Sequence, residues 1–480
     1  MKSFRAFDLK QSLLLPPDLQ DWLPEGHLSR FVAEVVGELD LSGIYAGYSD
    51  DGRGQAAYHP QMMSGLLIYS YCAGIFSSRR IERATFEDVA FRFLSGDQHP
   101  DHDTIASFRE RHLEALKGLF LQVLKLCEQA GLVKLGHVAL DGTKVKANAS
   151  KHKAMSYDHM CKREQELAQQ IAGLLAQASA IDAAEDQQYG AGKSADQLPT
   201  ELARAEQRVV KIRVAKAALE EAARAAAQQK KIEVEAVLAA RAQRIAETGK
   251  PGSGPKPIIP DPETAKPDAK DQRNFTDPES KIMKDGATKG FEQAYNAQIV
   301  VDAESQIIVA HDLITQGNDK LQLAPMLAQV QKNLGRKPTA ASADAGYYSD
   351  EQVTDQRLEG IDLHVPPDRQ KHNPPPPSNN PPPQTSPHLQ EADEKADEEQ
   401  PPETPKTRIA AMRIKLKTAA GHAIYRMRKA IVEPVFGQTK HVRGFRRFSF
   451  RGKAKNTAEW SLICTTHNLL KLWRSGWAPA

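Results

Sequence analysis

The sequence predicts an α/β protein in which a mixed sheet is preceded by an all-helical region and interrupted by a long helical insertion. Three observations carry this. Apolar residues recur at helical spacing through residues 1–130. The period changes to two over Gly136–Asn148, and again from Tyr295 onward, as half-buried strands require. Between those segments, residues 151–250 are rich in Ala, Glu, Gln, Lys and Arg, with a thin apolar stripe at Leu202, Val209, Ile212 and Leu219.

In the helical region, Leu28, Phe31, Val32, Val35 and Val36 share one face after the break at Pro24 and Gly26. Tyr58-His59-Pro60 opens a helix through Met62, Leu66, Leu67 and Tyr69. Asp103-Thr104 reads as a capped helix start leading to Arg109. Arg79, Arg80, Arg83 and Arg109 ride on these short helices. The region 1–130 therefore reads either as a helix-turn-helix-like DNA-binding domain or as a bundle with ordinary surface arginines.

In Gly136–Asn148, Val138 and Leu140 alternate, and Val145 and Ala147 alternate against Lys144 and Lys146. Asp141-Gly142 reads either as a hairpin turn or as a carboxylate on a central strand. Asn296–Val301 and Ile307–Ile314 form a hairpin through Asp302–Ser305. Leu321–Leu334 is an amphipathic helix, and Thr339–Ala343 is a strand ending at Asp344. Ser349 caps a further helix, Ile361–Val365 is a strand, and the tail after Leu462 is an apolar helix. The segments 131–150, 285–365 and 406–475 thus make one core. The insertion 151–250 is a solvated helical hairpin or a pair of helices packed on DNA, broken near Tyr189-Gly190 and Pro199. Residues 251–284 read as a linker by composition. Residues 366–405 hold 13 of the chain's 30 prolines and the run EADEKADEE, and read as a disordered spacer.

The 480 residues carry a formal charge of only +3. Positive charge is concentrated in Lys406–Lys455, where fifteen Lys and Arg accompany a single acid, Glu433. Such a surface is the footprint of a polyanion, most simply nucleic acid. Glu433 is either an ion-pair partner of Lys429, four residues earlier, or a ligand holding Mg²⁺ against phosphate. Cys72, Cys127, Cys161 and Cys464 are scattered, which argues against a zinc ribbon or disulfide framework and fits a reducing cytosol. No apolar run approaches the ~18 residues of a membrane span, and the first residues lack a signal-peptide pattern. Asp141 and Asp344 end neighbouring strands while Glu433 comes from a helical region. Three such carboxylates on one edge can hold two divalent ions about 3.5–4 Å apart.

At these residues the chain resembles the DDE-type insertion-sequence transposases. The matching pieces are VALDGTKVKANAS, DPESKIMKDG with GFEQAYNAQIVVD, ADAGYYS, RKAIVEPVFGQTKHVRGFRRFSFRG and EWSLICTTHNLLKLW. PDHDTIASFRERH resembles the helical N-terminal domain of the same proteins. The resemblance implies a ribonuclease-H-like catalytic core with Asp141, Asp344 and Glu433 as its metal-binding triad. It implies Mg²⁺ as cofactor, with Mn²⁺ as substitute. The implied activity is hydrolysis of phosphodiesters at the element's ends and strand transfer into target DNA.

The family's signature at the third acid is matched at Tyr425, Glu433 and Lys440. Lys429 stands where the family has Arg, with Arg428 one residue early. Lysine is a point charge where arginine offers a bidentate fork. Pro434 biases Glu433 away from ideal helix, so a kink or a helix start is expected there. DNA contacts are expected at Tyr425, Arg428, Lys429, Lys440, Arg443, Arg446 and Arg447, and on the N-terminal domain at Arg79, Arg80 and Arg109. The implied partners are the terminal inverted repeats and target DNA, with a homodimer or larger assembly at synapsis. The implied location is the cytoplasm, at the nucleoid. The rival reading is a catalytically inactive DNA-binding protein of the same fold.

Overall fold

The structure, a computed structural model of the chain, describes residues 18–48, 56–189, 200–249, 256–286, 289–368 and 407–479. The expected spacer 366–405 lies outside the described residues from 369 onward, as does the break between the insertion helices at 190–199. The chain divides into two compact units. One comprises residues 1–145, 296–449 and 454–480, and the other 146–295 and 450–453. The N-terminal helices and the core sheet therefore fall in the same unit.

Along the chain, α1 (Leu28–Glu38), α2 (Ser42–Tyr45), α3 (Pro60–Cys72), α4 (Ser78–Glu87), α5 (Val89–Ser95), α6 (His102–Arg111) and α7 (Leu113–Gln129) come first. Next come β1 (His137–Lys146), β2 (Ala154–Ser156), α8 (Tyr157–Tyr189), α9 (Thr200–Thr248), β3 (Gln272–Asn274) and β4 (Lys281–Lys284). The remainder is β5 (Phe291–Asp302), β6 (Ile308–Ile314), α10 (Leu323–Leu334), β7 (Ala340–Ser342), α11 (Asp350–Val353), β8 (Asp362–His364), α12 (Arg408–Lys417), α13 (Ala419–Gly437) and α14 (Lys453–Arg474).

In the first unit, α1 buries Phe31, Val32, Val35 and Val36, the predicted stripe. Each such side chain is worth roughly 1.5–3 kcal/mol when fully buried. Pro60 opens α3 at a position where its missing N–H costs nothing. The cap of α6 is Asp101, whose Oδ1 accepts from Thr104 N–H at 2.8 Å. Asp103, expected at the start, lies in the first turn instead.

The sheet of this unit runs β6-β5-β1-β7-β8. β5 and β6 are the expected antiparallel hairpin, with a bulge at Val300/Val301. β1, β7 and β8 are parallel, with Ala139 opposite Ser342 and Ser342 opposite His364. An antiparallel hairpin joined through β1 to two parallel strands is the ribonuclease-H-like arrangement. α14 is buried along most of its length, and Asn468 on it bonds both Ile308 N–H and Ile308 O at 2.9 Å, anchoring β6.

The second unit contains the insertion. α8 and α9 pack antiparallel through Met160, Leu167, Ala205, Val209, Ile212, Ala215 and Leu219. Tyr157 Oη donates to Glu220 at 2.7 Å, and Glu164 receives Arg213 at 2.8 Å and Lys216 at 3.1 Å. Residues 220–247 of α9 bury nothing among the described residues. The stretch read as a linker, 251–284, contains β3 and β4. β3 pairs antiparallel with β2 and β4 with the first part of β5. Backbone pairing orders these short runs where composition alone suggested none.

Candidate active site

Strand register brings the first two acids together. Ala139 on β1 is paired with Ser342 on β7, and Asp141 and Asp344 each lie two residues further along the chain. Asp141 does not end its strand as expected, since β1 continues to Lys146, whereas Asp344 lies just past the end of β7; continuing the register puts the two at one level. Asp344 caps a short 3₁₀ turn, its Oδ1 accepting from Gly346 N–H at 2.8 Å. Asp141 Oδ1 accepts from Gly142 N–H at 2.8 Å. Burial pushes the Asp141 carboxyl up to about 6. Arg428 and the Gly142 N–H oppose the rise, while Asp344 and Asp319 add to it.

Asp319 is a third acid at this edge that sequence reasoning missed. It follows β6 in the polar loop Gln316-Gly317-Asn318-Asp319, where no periodicity marks it. Its Oδ1 accepts from Asn296 Nδ2 at 2.6 Å and from Gln298 Nε2 at 2.7 Å, and lies 3.9 Å from Lys144 Nζ. The Gln298 amide is held from its other side by the hydroxyl of Tyr347. Burial pushes that hydroxyl well above its ordinary range, and Asp319, Asp141 and Asp344 push it further, so it remains a proton donor. Position 142 leaves no free space for a side chain unless the amide network around it shifts. A Cβ there would run into Gln298 Nε2 and sit 2.9 Å from Asn296 Oδ1 and 3.0 Å from Asp319 Oδ1. Burial lowers the Lys144 ammonium, and the three aspartates oppose that.

α13 supplies the cationic side. Arg428, Ile431, Val432 and Val435 form its buried face. Arg428 Nη1 approaches Asp141 Oδ2 at 3.4 Å, and its guanidinium carbon is 5.9 Å from the centre of the Tyr425 ring. Burial raises the Tyr425 hydroxyl, with Asp344 and Asp141 contributing. Of the two cations considered for the signature position, Arg428 faces Asp141, the first acid of the expected triad. Glu433 lies on the exposed face of α13. Among the described residues, no group of three or more His, Cys, Asp or Glu side chains is gathered closely enough to hold a metal ion. The donors at the strand ends are carboxylate oxygens, as a hard divalent cation prefers, and Asp141 is short of compensating charge.

Pro434 does not start a helix. α13 runs through it and gives way to a π turn at Gln438–Val442. Proline lacks the N–H that would bond Ala430 O. Gln306 Nε2 donates to that oxygen instead, at 3.0 Å. Lys440, in the π turn, donates to Thr143 Oγ1 at 2.6 Å and to Lys144 O at 2.7 Å, which ties it to β1 just past Asp141.

Two arginines expected at DNA are structural. Arg109 is buried, with Nη1 donating to Phe76 O at 2.9 Å and to Tyr71 Oη at 3.1 Å. Tyr71 in turn donates to buried Glu459 at 3.0 Å, so the charge is matched inside the unit. Arg443 is also buried, donating to Thr466 Oγ1 at 2.8 Å and Thr439 Oγ1 at 3.1 Å, and burial lowers it to about 10. Arg79, Arg80, Arg446 and Arg447 are exposed, and Lys429 is partly so.

Two family models match the chain: a transposase domain (DUF772) over residues 17–111, and a transposase DDE domain over residues 263–469. Asp319, Asp344 and Glu433 lie within the second, while Asp141 and the whole of the helical insertion lie in neither. No curated protein and no solved structure matches the chain.

Proposed function

We propose that this chain, which belongs to the DDE-type insertion-sequence transposases, hydrolyses phosphodiesters at its element's ends and joins the freed 3′-hydroxyl to target DNA. The observation supporting this most directly is the nearness of Asp141, on β1, to Asp344, just past the paired strand β7, close enough for the one carboxylate to raise the other. Mg²⁺, or Mn²⁺ in its place, held by Asp141 and Asp344 with Glu433 as a further ligand, would activate the attacking oxygen and neutralise the leaving one.

The chain's own residues do the rest. Gly142, Asn296 and Gln298 fix Asp319 behind the strand edge, and Asp319 keeps Lys144 beside the carboxylates. Arg428 keeps Asp141 ionised in a site from which water is partly withdrawn. Exposed Arg446 and Arg447, with Lys440 beside β1, offer cations to the DNA backbone. Glu433 stands on the solvent side of α13, where arriving DNA and its ions can draw it in. Synapsis of two ends calls for at least two copies. Among the described residues, no helix is long and apolar enough to cross a membrane.

The test is cleavage of a labelled duplex carrying an element end, in Mg²⁺, by the purified full chain. Asp141→Asn, Asp344→Asn and Glu433→Gln should each abolish nicking and joining while end binding persists. A Glu433→Gln protein that cleaves at the parent rate would remove Glu433 from the triad. A parent that binds ends without cutting them would support the non-catalytic reading. Glu459 on α14 could not replace Glu433, because its carboxylate accepts from Tyr71 Oη and Ser449 N–H.

A further inference from the structure

We propose that the second unit carries its own site for a DNA strand, a basic cavity bounded by the β2–β3 ribbon, α8 and α9; this rests on the reading that the protein works on DNA. The cavity is about 540 Å³, within the range that encloses a small organic ligand. Its cations come from three separate places. Lys153 precedes β2, with the His152 ring beside it, Arg163 lies on α8, and Arg208 and Lys211 lie on α9. No carboxylate is among the residues that line it.

Two acids of the unit are engaged with its basic residues, one of them with the cavity's own Arg163. Glu166 takes Arg163 at 2.6 Å, and Glu164 takes Arg213 and Lys216. Among the described residues, Lys153, Arg208 and Lys211 make no ion pair. Gathering like charges around a hollow costs free energy unless an anion enters it. The floor is apolar. Met155 and Phe275 are half-buried there beside Leu167 and Ile212. Phe275 is held at the ribbon's end by its N–H to Lys153 O at 3.0 Å.

A free phosphate would use the cations and leave the floor idle. A DNA strand uses both, laying phosphates on the rim and an unstacked base or sugar on Phe275. All the residues that line the cavity belong to the second unit, so none of them is one of the first unit's carboxylates.

The test uses the full chain and fluorescence anisotropy with a labelled single strand and the matching duplex, both of mixed sequence. Arg208→Gln/Lys211→Gln should weaken single-strand binding roughly tenfold. It should also flatten the plot of log affinity against log salt by about 1.4, at ~0.7 per lost phosphate contact. Lys230→Gln/Lys231→Gln, on the part of α9 that buries nothing, removes the same charge and should change affinity less than about twofold. Phe275→Leu keeps the floor apolar and should weaken the single strand about fivefold while sparing the duplex. Equal losses from the two charge pairs, or an unaffected Phe275→Leu, would overturn the cavity. A parent protein that binds neither DNA would overturn the broader DNA reading as well. Melting curves confirm folding, and every substituted side chain is at least partly exposed.

Discussion

Arg428 Nη1 lies 3.4 Å from Asp141 Oδ2, and only 10% and 24% of these side chains' surfaces are exposed. Little water screens the pair, so the guanidinium works directly against burial to keep Asp141 ionised. The neighbouring acids work the other way.

The two influences predict opposite shifts in the pH profile of cleavage. Activity requires the carboxylate, so it falls as the medium is acidified through the Asp141 titration, which lies near 6 without metal and lower once Mg²⁺ is bound. Arg428→Gln removes the group that lowers that titration, and the acid limb should move up by roughly one unit. Asp319→Asn removes a group that raises it, and the limb should move down. Rates measured across pH in Mg²⁺ decide. Parallel shifts in the same direction would mean that neither residue acts through Asp141.

Asp141→Asn should stabilise the metal-free protein while destroying cleavage. The folded-state carboxyl is raised from 3.8 to about 6, so the native state holds its proton over a range where the unfolded chain has lost it. Stability is therefore lost as pH climbs through that range, by an amount of order 1–3 kcal/mol at ~1.4 kcal/mol per unit. Asparagine avoids this cost. Thermal melts should show the variant above the parent at pH 8, with the two converging below about pH 4. Added Mg²⁺ should close the gap at pH 8 by stabilising the parent.

Gly142→Ala should cost about 1–3 kcal/mol, the usual penalty for forcing an extra carbon into a packed site. The methyl group must displace the Gln298 amide, which also releases Asp319 and Tyr347. Melting temperature and nicking rate should fall together. A stable Gly142→Ala protein of normal activity would show that the amide network adapts freely.

These residues mark what was legible in the sequence and what was not. Asp141 and Asp344 could be picked out because one follows the alternation of Val138 and Leu140 and the other follows the short apolar run Thr339–Ala343, and the parallel register of β1 and β7 then brings them to one level. The α8–α9 pairing could be read because Leu202, Val209, Ile212 and Leu219 repeat at helical spacing. Asp319 could not, because a loop has no period and its partners Asn296 and Gln298 lie on another strand. β2 and β3, three residues each, fall below the length at which alternation shows. Arg109 looked like a DNA contact because a sequence displays charge and hides partners. The network that buries it joins Tyr71, 38 positions away, to Glu459, 388 positions beyond Tyr71.

The Gln306 bridge to α13 gives the last prediction. Gln306 sits at the β5–β6 turn with φ of 57°, and its Nε2 satisfies the carbonyl that Pro434 leaves without a helical donor. Its Oε1 accepts from Lys471 at 2.8 Å, which ties α14 to the same point. Gln306→Ala should cost about 1 kcal/mol, since water reaches part of this site and replaces some of what is lost. In a Pro434→Ala background the new N–H can bond Ala430 O, so the same change should cost roughly 0.5 kcal/mol less. Chemical denaturation of the parent, both single variants and the double variant measures that difference. Additive effects would mean that Gln306 does not stand in for the missing helical bond. A positive coupling would show that the sheet's hairpin holds α13, and through it Arg428, in register with Asp141.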